Sequence, residues 1–326
     1  METADLVEAV AGTVADRYVD AGPAAEAAAW LRQRAAEGAF SDLDGPDLTN
    51  ALTRELRARI PDKHLQVRWS DRPRDPSATS DWDNPEYLAA YWREQDSFNQ
   101  GVVKAERLAG NVGLMELRSI DEPEGTGHVL EAALALLARC DALIIDVRVS
   151  NGGAPSGVAF LVSHFVEPPA RKLLDVVGRD GTVMEQTWTS PYVRAARFVT
   201  QPLFVLVGAR TPSGTEELAY DLQYLGRATI VGETTVGAAN PVEQYVVAPH
   251  VVVRVPLCRV RNAITGSNWE GVGVVPHLPC PAGQALEVAH REAARRLLAA
   301  PGAADVPEEL RAELTTVLAL PEEGRS

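Results

Sequence analysis

Three side chains of this sequence, a serine, a histidine and a glutamate, could together perform acyl chemistry although they lie far apart along the chain. Ser213 follows the apolar segment LFVLV at 203–207 and a short turn, and it begins an amphipathic stretch that ends at Leu225. A hydroxyl at a helix N-terminus lies beside unpaired backbone N–H groups and the positive end of the helix dipole, which stabilise an alkoxide and an oxyanion. The position therefore suits a nucleophile.

Ser213 also has a purely structural interpretation. Glu216 lies three residues further along, and Ser-x-x-Glu is the sequence pattern of a helix capping box. On this stretch alone, capping is the favoured interpretation.

His64 and Glu270 are the residues that could activate such a serine. His64, in PDKHLQV, has a side chain that titrates near neutral pH and could act as a general base, although a single histidine is more often a surface or core residue. Glu270 lies in NWEGVGVVP, which is too apolar and glycine-rich for an ordinary solvated surface, so its carboxylate needs a partner. Orienting an imidazole and pairing with an arginine are equally suitable tasks for it.

Gly152 and Gly153 form a further candidate binding segment. They lie in DVRVSNGGAP, directly after an apolar strand-like run, and ligands of open α/β folds bind at the carboxyl ends of strands. Adjacent glycines let a backbone N–H approach a substrate closely. A tight turn that needs positive φ is the alternative, and for this segment by itself it is favoured.

The elements that must position these residues alternate along the chain. Apolar residues at helical spacing predict two or three helices before Pro61, and Asp44 with Pro46 marks the start of the last one. Strand-like and helical stretches then alternate, with a hairpin around Asp180-Gly181 and a strand-helix-strand unit around Ser213. This order predicts the α/β class: an N-terminal helical subdomain and a larger α/β domain with a mixed sheet.

The expected domain limits follow from the same pattern. We expect an N-terminal helical domain at 1–70, a linker at 71–105, a catalytic α/β domain at 106–300 and a C-terminal helix with a polar tail at 301–326. The linker is rich in Asp and Pro, and it contains one helix-like stretch around Tyr87 to Arg93.

Composition excludes several classes of function. Lys+Arg 31 against Asp+Glu 45 gives a net charge of −14, which repels nucleic acid and anionic lipid. The acidic first residues do not resemble a signal peptide, and no apolar run approaches the roughly 20 residues of a membrane span. The three cysteines have no paired spacing. We therefore expect a cytoplasmic protein with no membrane or nucleic-acid partner, no disulfide framework, no metal and no cofactor.

The segment VLVGARTPSGTEELAYDLQYLGRATIVGETTVGAAN resembles the signature of the C-terminal-processing (tail-specific) serine peptidases, in their retinoid-binding-protein-like branch. PDKHLQV, GNVGLMEL, ALIIDVRVSNGG, LLDVVGRDGTVMEQTWTSPYV and ITGSNWEGVGVVP resemble further blocks in the same order, so the similarity spans roughly residues 5 to 300. The resemblance implies a crotonase-like ββα superfold and serine-type peptidase activity. About 40 residues at 70–110 are too few for the PDZ domain of tail-specific enzymes.

The resemblance also implies roles for the candidate residues. The family uses either a Ser-Lys dyad or a Ser-His-Glu arrangement like that of the tricorn core. The dyad lysine would fall where this chain has Ala238, and no lysine follows Lys172. The other design matches Ser213 as nucleophile, His64 as base and Glu270 as the residue that orients His64.

Two further features follow from the family pattern. The expected oxyanion donors are the backbone N–H of Gly152 or Gly153 and that of Gly214, which replaces the usual small residue after the nucleophile. His277 replaces a commonly acidic residue.

The leading hypothesis is thus a serine hydrolase that cleaves a peptide or amide bond in a small or unstructured substrate. A non-catalytic protein that binds a hydrophobic ligand is the first alternative, and an acyl-transfer or cyclase enzyme is the second. The partner in the leading hypothesis is a peptide or small amide or acyl substrate, and an oligomer is compatible with the sequence.

Overall fold

The computed structural model describes residues 2–75 and 85–319. The helices of this part of the chain are α1 (Thr3–Arg17), α2 (Ala21–Ala36), α3 (Gly45–Arg57), α4 (Pro85–Ser97), α5 (Pro123–Leu136), α6 (Pro155–Val162), α7 (Gly214–Tyr224), α8 (Ala285–Ala299) and α9 (Glu308–Ala319). The strands are β1 (Gln66–Trp69), β2 (Val102–Leu108), β3 (Val112–Leu117), β4 (Ala142–Asp146), β5 (Lys172–Gly178), β6 (Val183–Trp188), β7 (Leu203–Val207), β8 (Thr229–Gly232), β9 (Val242–Ala248), β10 (Val251–Pro256), β11 (Cys258–Asn262) and β12 (Leu278–Pro279).

A six-stranded mixed sheet forms the centre of the larger part of the molecule. Its strand order is β12-β8-β7-β4-β3-β2, and every neighbouring pair is parallel except β2 with β3. Helices connect the parallel strands, as parallel pairing requires. The predicted α/β class with a mixed sheet is confirmed.

Both faces of this sheet are buried, because successive side chains of a strand point to opposite faces. Leu143 and Ile145 of β4 pack into the core that contains residues of α5, α6 and α7, whereas Ile144 packs into a second core with α8. Strands buried on both faces appear in sequence as continuous apolar runs, which is how β4 and β7 were predicted.

The N-terminal helices pack around a core of their own. Buried residues of α1, α2 and α3, among them Val10, Leu31 and Leu52, form one cluster with Val253 of β10. The sheet in this region has the order β1-β10-β9 and is antiparallel. Strand β10, which comes much later in the sequence than the three helices, therefore completes their core.

Local predictions agree with the structure where they can be compared. α3 begins at Gly45 after Asp44, and β5 pairs antiparallel with β6 across Asp180-Gly181. The helix-like stretch at 87–93 lies within α4. The rest of the predicted linker includes 76–84, and the polar tail includes 320–326; both lie outside the described residues. None of the helices described is both long enough and apolar enough to cross a membrane.

Candidate active site

Ser213 lies in a strained turn between β7 and α7. Its φ is 53° and its ψ is −125°, in a region that residues with a Cβ seldom adopt. Thr211 fixes the turn, because its Oγ1 donates to the Val147 carbonyl after β4 at 2.9 Å. Non-glycine residues held in such conformations are concentrated at functional sites, so the strain marks Ser213 as more than a helix cap.

Gly152, Gly153 and Gly214 form a close backbone contact with the turn of Ser213. β4 and β7 are parallel neighbours, so the turns that follow them meet at one edge of the sheet. Gly152 has a φ of 92°, and a Cβ on it would lie 3.0 Å from the Cβ of Ser213. A Cβ on Gly214 would lie 2.6 Å from the carbonyl oxygen of Gly153. The contact therefore requires glycine on both sides.

The backbone N–H groups of this contact are available to a ligand. Across residues 2–75 and 85–319, no hydrogen bond has the N–H of Gly152, Gly153 or Gly214 as its donor. Unpaired donors at the start of a helix are suited to an anion. The structure thus brings together Ser213 and the three glycines that the sequence analysis selected.

His64 lies in the loop between α3 and β1, next to a fixed carboxylate. The backbone N–H of His64 donates to Asp62 Oδ1 at 2.8 Å. Asp62 Oδ2 accepts from the hydroxyl of Tyr18 and from Nδ2 of Asn240, both at 3.2 Å. Asp62 is thereby held from α1, from its own loop and from the segment after β8.

Glu270 approaches the same place from the loop after β11. Its Oε2 accepts from the backbone N–H groups of Ala239 at 2.7 Å and Asn240 at 3.1 Å. Burial raises the pKa of Glu270 to about 7, with a further contribution from the charge of Asp62, and the two N–H donors oppose the shift. Its Oε1 is buried and has no partner among the described residues.

Asp62, His64 and Glu270 converge. One ligand atom of each lies within 4.8 Å of the other two. Burial lowers the pKa of His64, and the charge of Asp62 opposes this shift, whereas Arg254 reinforces it. Burial thus favours the neutral form of the ring, the form in which an imidazole can accept a proton. The same three side chains could hold a metal ion, which the sequence analysis did not predict.

Glu216 links the turn of Ser213 to the segment after β8. Its Oε2 accepts the backbone N–H groups of Ser213 and Ala238, both at 2.9 Å, and its Oε1 accepts that of Gly237 at 2.6 Å and the hydroxyl of Thr235. Burial raises the pKa of this fully buried carboxyl, and the four donors oppose the shift. Glu216 is thus a central support of the site as well as part of a cap.

The two halves of the site are joined through consecutive peptides. Ala238 donates its N–H to Glu216, which also holds the turn of Ser213, and Ala239 donates its N–H to Glu270. Within 2–75 and 85–319, no direct hydrogen bond joins the hydroxyl of Ser213 to the ring of His64. The turn of Ser213 and the carboxylate of Glu270 are therefore both bound to the short backbone segment at 238–239.

The lysines of the chain are exposed or paired. Ala238, where the resemblance to tail-specific peptidases would place a dyad lysine, is buried. Lys104 pairs with Glu106, and Lys172 pairs with Asp175 at 2.8 Å. Lys63 is exposed.

A second group of buried carboxylates lies further along α7. Glu217 and Asp221 are one turn apart and are 3% and 0% exposed. Burial raises the pKa of Asp221 to about 7, and it also raises that of Glu217 well above its ordinary value, with repulsion from Asp221 as the second cause. Asp221 Oδ1 accepts from Nδ2 of Asn262 at 2.8 Å. Glu217 Oε1 and Asp221 Oδ2 have no partner in the part of the chain that the structure describes.

Sequence reasoning missed the supporting residues. Asp62 entered the sequence analysis only as part of the segment PDKHLQV, and neither Tyr18 nor Asn240 was singled out. The glycine-flanked TTVGAAN segment was the signal available for Asn240, because backbone N–H groups there bind both Glu216 and Glu270.

Solved structures of similar fold support this architecture. A photosystem II D1 C-terminal processing protease matches with a TM-score of 0.54 and 14% identity, over 86% of this chain and 94% of that chain. A candidate peptidase from Parabacteroides merdae matches with a TM-score of 0.63 and 18% identity, over 94% of this chain and 100% of that chain. The tricorn protease matches with a TM-score of 0.56 and 12% identity, over 88% of this chain but 35% of that chain.

The sequence itself matches a peptidase family. The sequence model of peptidase family S41 covers residues 111–280, which is just over half of the chain and includes β3, β4, β7, α7 and the loop of Glu270. The strained serine turn lies inside this match. The chain therefore belongs to peptidase family S41 and is a serine-type peptidase.

Proposed function

We propose that the protein hydrolyses a peptide or amide bond with Ser213 as nucleophile, His64 as general base and Glu270 as the carboxylate that orients His64. The observation that carries this proposal is the convergence of Asp62, His64 and Glu270 within 4.8 Å, on a segment that also holds the turn of Ser213. A base with an orienting carboxylate and a nucleophile on a helix N-terminus is the arrangement that acyl transfer needs.

The first chemical step forms a bond between Ser213 Oγ and the carbonyl carbon of the substrate. His64 accepts the hydroxyl proton, and the negative charge passes to the carbonyl oxygen. The unpaired N–H groups of Gly214 and of Gly152 or Gly153 stabilise that charge, because they are fixed before the reaction. His64 then gives its proton to the leaving amine, and water hydrolyses the acyl-enzyme with His64 again as base.

Glu270 and Asp62 act on the imidazole rather than on the substrate. In this proposal Glu270 Oε1, which has no partner among the described residues, accepts the Nδ1 proton of His64 and stabilises the imidazolium. Asp62 binds the backbone of His64 and adds negative charge beside the ring. The contact between Ser213 and His64 closes when substrate binds, since catalytic hydrogen bonds are often long without it.

The proposed substrate is a peptide or small amide in an extended form. Its scissile carbonyl would lie at the edge of the sheet, beside the turns that follow β4 and β7, because Ser213 and the glycines lie there.

A fluorophosphonate probe tests the nucleophile. We expect the full chain to acquire one covalent adduct and Ser213→Ala to acquire none, by intact-mass spectrometry. Ser150→Ala is a matched control, because Ser150 lies nearby with its Oγ 2.8 Å from Oγ1 of Thr215. Equal labelling of the wild type and Ser213→Ala would remove the proposal. Binding of an apolar ligand, with no labelling of either protein, would favour a non-catalytic binding function.

A further inference from the structure

We infer that Asp62, His64 and Glu270 form a binding site for a divalent transition-metal ion such as Zn²⁺, and that the bound ion inhibits the peptidase. The inhibition rests on the proposed function, whereas the binding of the ion does not. Within the described residues, this is the place where three metal-ligating side chains converge.

The geometry of the donor atoms supports an ion at this position. One ligand atom of each residue lies within 4.8 Å of the other two. Tetrahedral Zn²⁺ with bonds of about 2.0–2.1 Å places its ligands roughly 3.3 Å apart. Side-chain movements of about an ångström therefore suffice to close the site.

Two atoms of the cluster without hydrogen-bond partners support the same inference. His64 Nδ1 and Glu270 Oε1 are both buried and have no hydrogen-bond partner among the described residues. Such groups are costly when nothing binds them. An ion that ligates both atoms would satisfy them together.

The surroundings already hold the ligands in place. Asp62 Oδ2 is bound by Tyr18 and Asn240, and Glu270 Oε2 is bound by the backbone of Ala239 and Asn240. Hydrogen bonds of this kind orient metal ligands and contribute to affinity.

The donor chemistry selects the class of ion. One imidazole and two carboxylates suit Zn²⁺ and its neighbours in the first transition row, while Mg²⁺ and Ca²⁺ prefer sets made only of oxygen. The positive charge of Arg254 near His64 weakens the site without removing it.

A bound ion would stop the proposed chemistry in a defined way. An ion bound to His64 Nδ1 and to Glu270 would link the two side chains and place a positive charge beside the imidazole ring. The ring then cannot accept the proton of Ser213, so the nucleophile stays a neutral hydroxyl. Removal of the ion by a chelator restores the base.

Calorimetric titration with ZnCl₂ tests the binding of the ion. We expect the chelator-treated full chain and Ser213→Ala to bind one equivalent, and His64→Ala and Glu270→Gln to bind at least about tenfold more weakly. His128→Ala removes an exposed histidine, and Glu217→Gln removes a buried carboxylate outside the cluster; both should bind like the wild type. Circular dichroism verifies the fold of each variant. Equal binding by the wild type and His64→Ala, or no binding by either, would overturn the inference.

Fluorophosphonate labelling tests the inhibition separately. We expect one equivalent of Zn²⁺ to slow labelling of Ser213 at least about tenfold, EDTA to reverse the effect, and Mg²⁺ to leave the rate unchanged. Labelling that proceeds equally with bound Zn²⁺ would overturn the inhibition and leave the proposed function intact. Zinc binding that depends on His64, in a protein that never labels, would overturn the proposed function and leave the metal site intact.

Discussion

Two groups of buried carboxylates in this protein have similar electrostatics and different neighbours. Burial raises the pKa of Glu270 to about 7, and it raises that of Asp221 in α7 to about 7 as well. Each has one carboxylate oxygen without a partner among the described residues. Glu270 lies beside His64, whereas Asp221 lies beside Glu217 and Asn262.

In this protein a raised carboxyl pKa therefore reports burial rather than catalysis. Around both Glu270 and Asp221, burial disfavours the charged carboxylate and so raises its pKa. What distinguishes Glu270 is a neutral imidazole within reach and a link, through one segment of backbone, to a strained serine turn. A functional assignment therefore needs the neighbouring base and nucleophile as well as the shifted group.

The largest expected effect is the loss of the base. We expect His64→Ala to slow fluorophosphonate labelling by about 10²- to 10⁴-fold, because no other group takes the proton of Ser213. His164→Gln is the matched control, since His164 is also buried and burial also lowers its pKa, but it bonds to the carbonyl of Phe160. An equal loss in both variants would indicate damage to the fold instead of loss of a base.

Substitution of one acid from each group compares the two regions directly. We expect Glu270→Gln to slow labelling by roughly 10- to 10³-fold, because the imidazolium loses its carboxylate. Glu217→Gln should label within a few-fold of the wild type. A larger loss in Glu217→Gln than in Glu270→Gln would reverse the assignment of the two groups.

The pH dependence of the fluorophosphonate labelling rate tests the role of Glu270. Its pKa of about 7 means that it becomes neutral as the pH falls through 7, while the lowered pKa of His64 keeps the ring neutral to lower pH. We expect the labelling rate of the wild type to fall below about pH 7. In Glu270→Gln the fall should move to lower pH, from a smaller maximum rate. An unchanged midpoint would show that another group controls the acid limb.

Substitutions of the adjacent glutamates Glu216 and Glu217 in α7 should differ in their effect on the free energy of unfolding. Glu216 accepts four hydrogen bonds, so Glu216→Gln places an amide against N–H donors and should lower the free energy of unfolding by about 2–4 kcal/mol. Glu217→Gln removes a buried carboxyl whose charged form is disfavoured by burial and whose Oε1 has no partner among the described residues, and it should be neutral or stabilising at pH 8. Urea titration of both variants measures the difference. Equal destabilisation would contradict the distinction.

The smallest expected effect concerns the pH dependence of stability. The pKa of Asp221 is about 7 when folded and has an ordinary value of 3.8. Between these values the folded chain holds a proton that the unfolded chain has released, so stability falls as pH rises from about 4 to 7 and stays lower above.

Asp221→Asn should make this slope smaller and be more stable than the wild type at pH 8 by about 1–3 kcal/mol. Glu270 and the other buried glutamates, whose pKa values are also raised, keep the remainder. Asp42→Asn, at an exposed position, should leave the slope unchanged. Thermal unfolding at pH 5 and pH 8 provides the measurement. An equal slope in Asp221→Asn and the wild type would contradict the contribution of Asp221.

The parts of the fold that depend on local pattern were predictable. The apolar runs of β4 and β7 are buried on both faces, and each ends in a turn that lies at the edge of the sheet. Because parallel neighbours place such turns together, Ser213 and Gly152 could be selected from sequence as parts of one site. The strained backbone conformation of Ser213 could not be predicted from sequence, because it depends on the contacts that hold the turn in the folded protein.

The residues that complete the site depend on tertiary packing. Asp62 and Asn240 are hydrogen-bonded although 178 positions separate them. No periodicity or spacing brings such residues together, because the contact exists only once the N-terminal helices and β10 share one core. Glu216 was predicted as part of a cap, and its second task of holding the backbone at 237–238 follows only from the folded loop.

The most direct test of the account is a crystal structure of the full chain with a phosphonate covalently attached to Ser213. The account predicts His64 Nε2 at about 2.6–3.2 Å from an oxygen of the adduct, Glu270 on the other side of the ring, and the phosphonyl oxygen on the N–H of Gly214. An adduct on Ser213 with His64 more than about 7 Å away, and another group acting as the base, would contradict the proposed Ser-His-Glu arrangement.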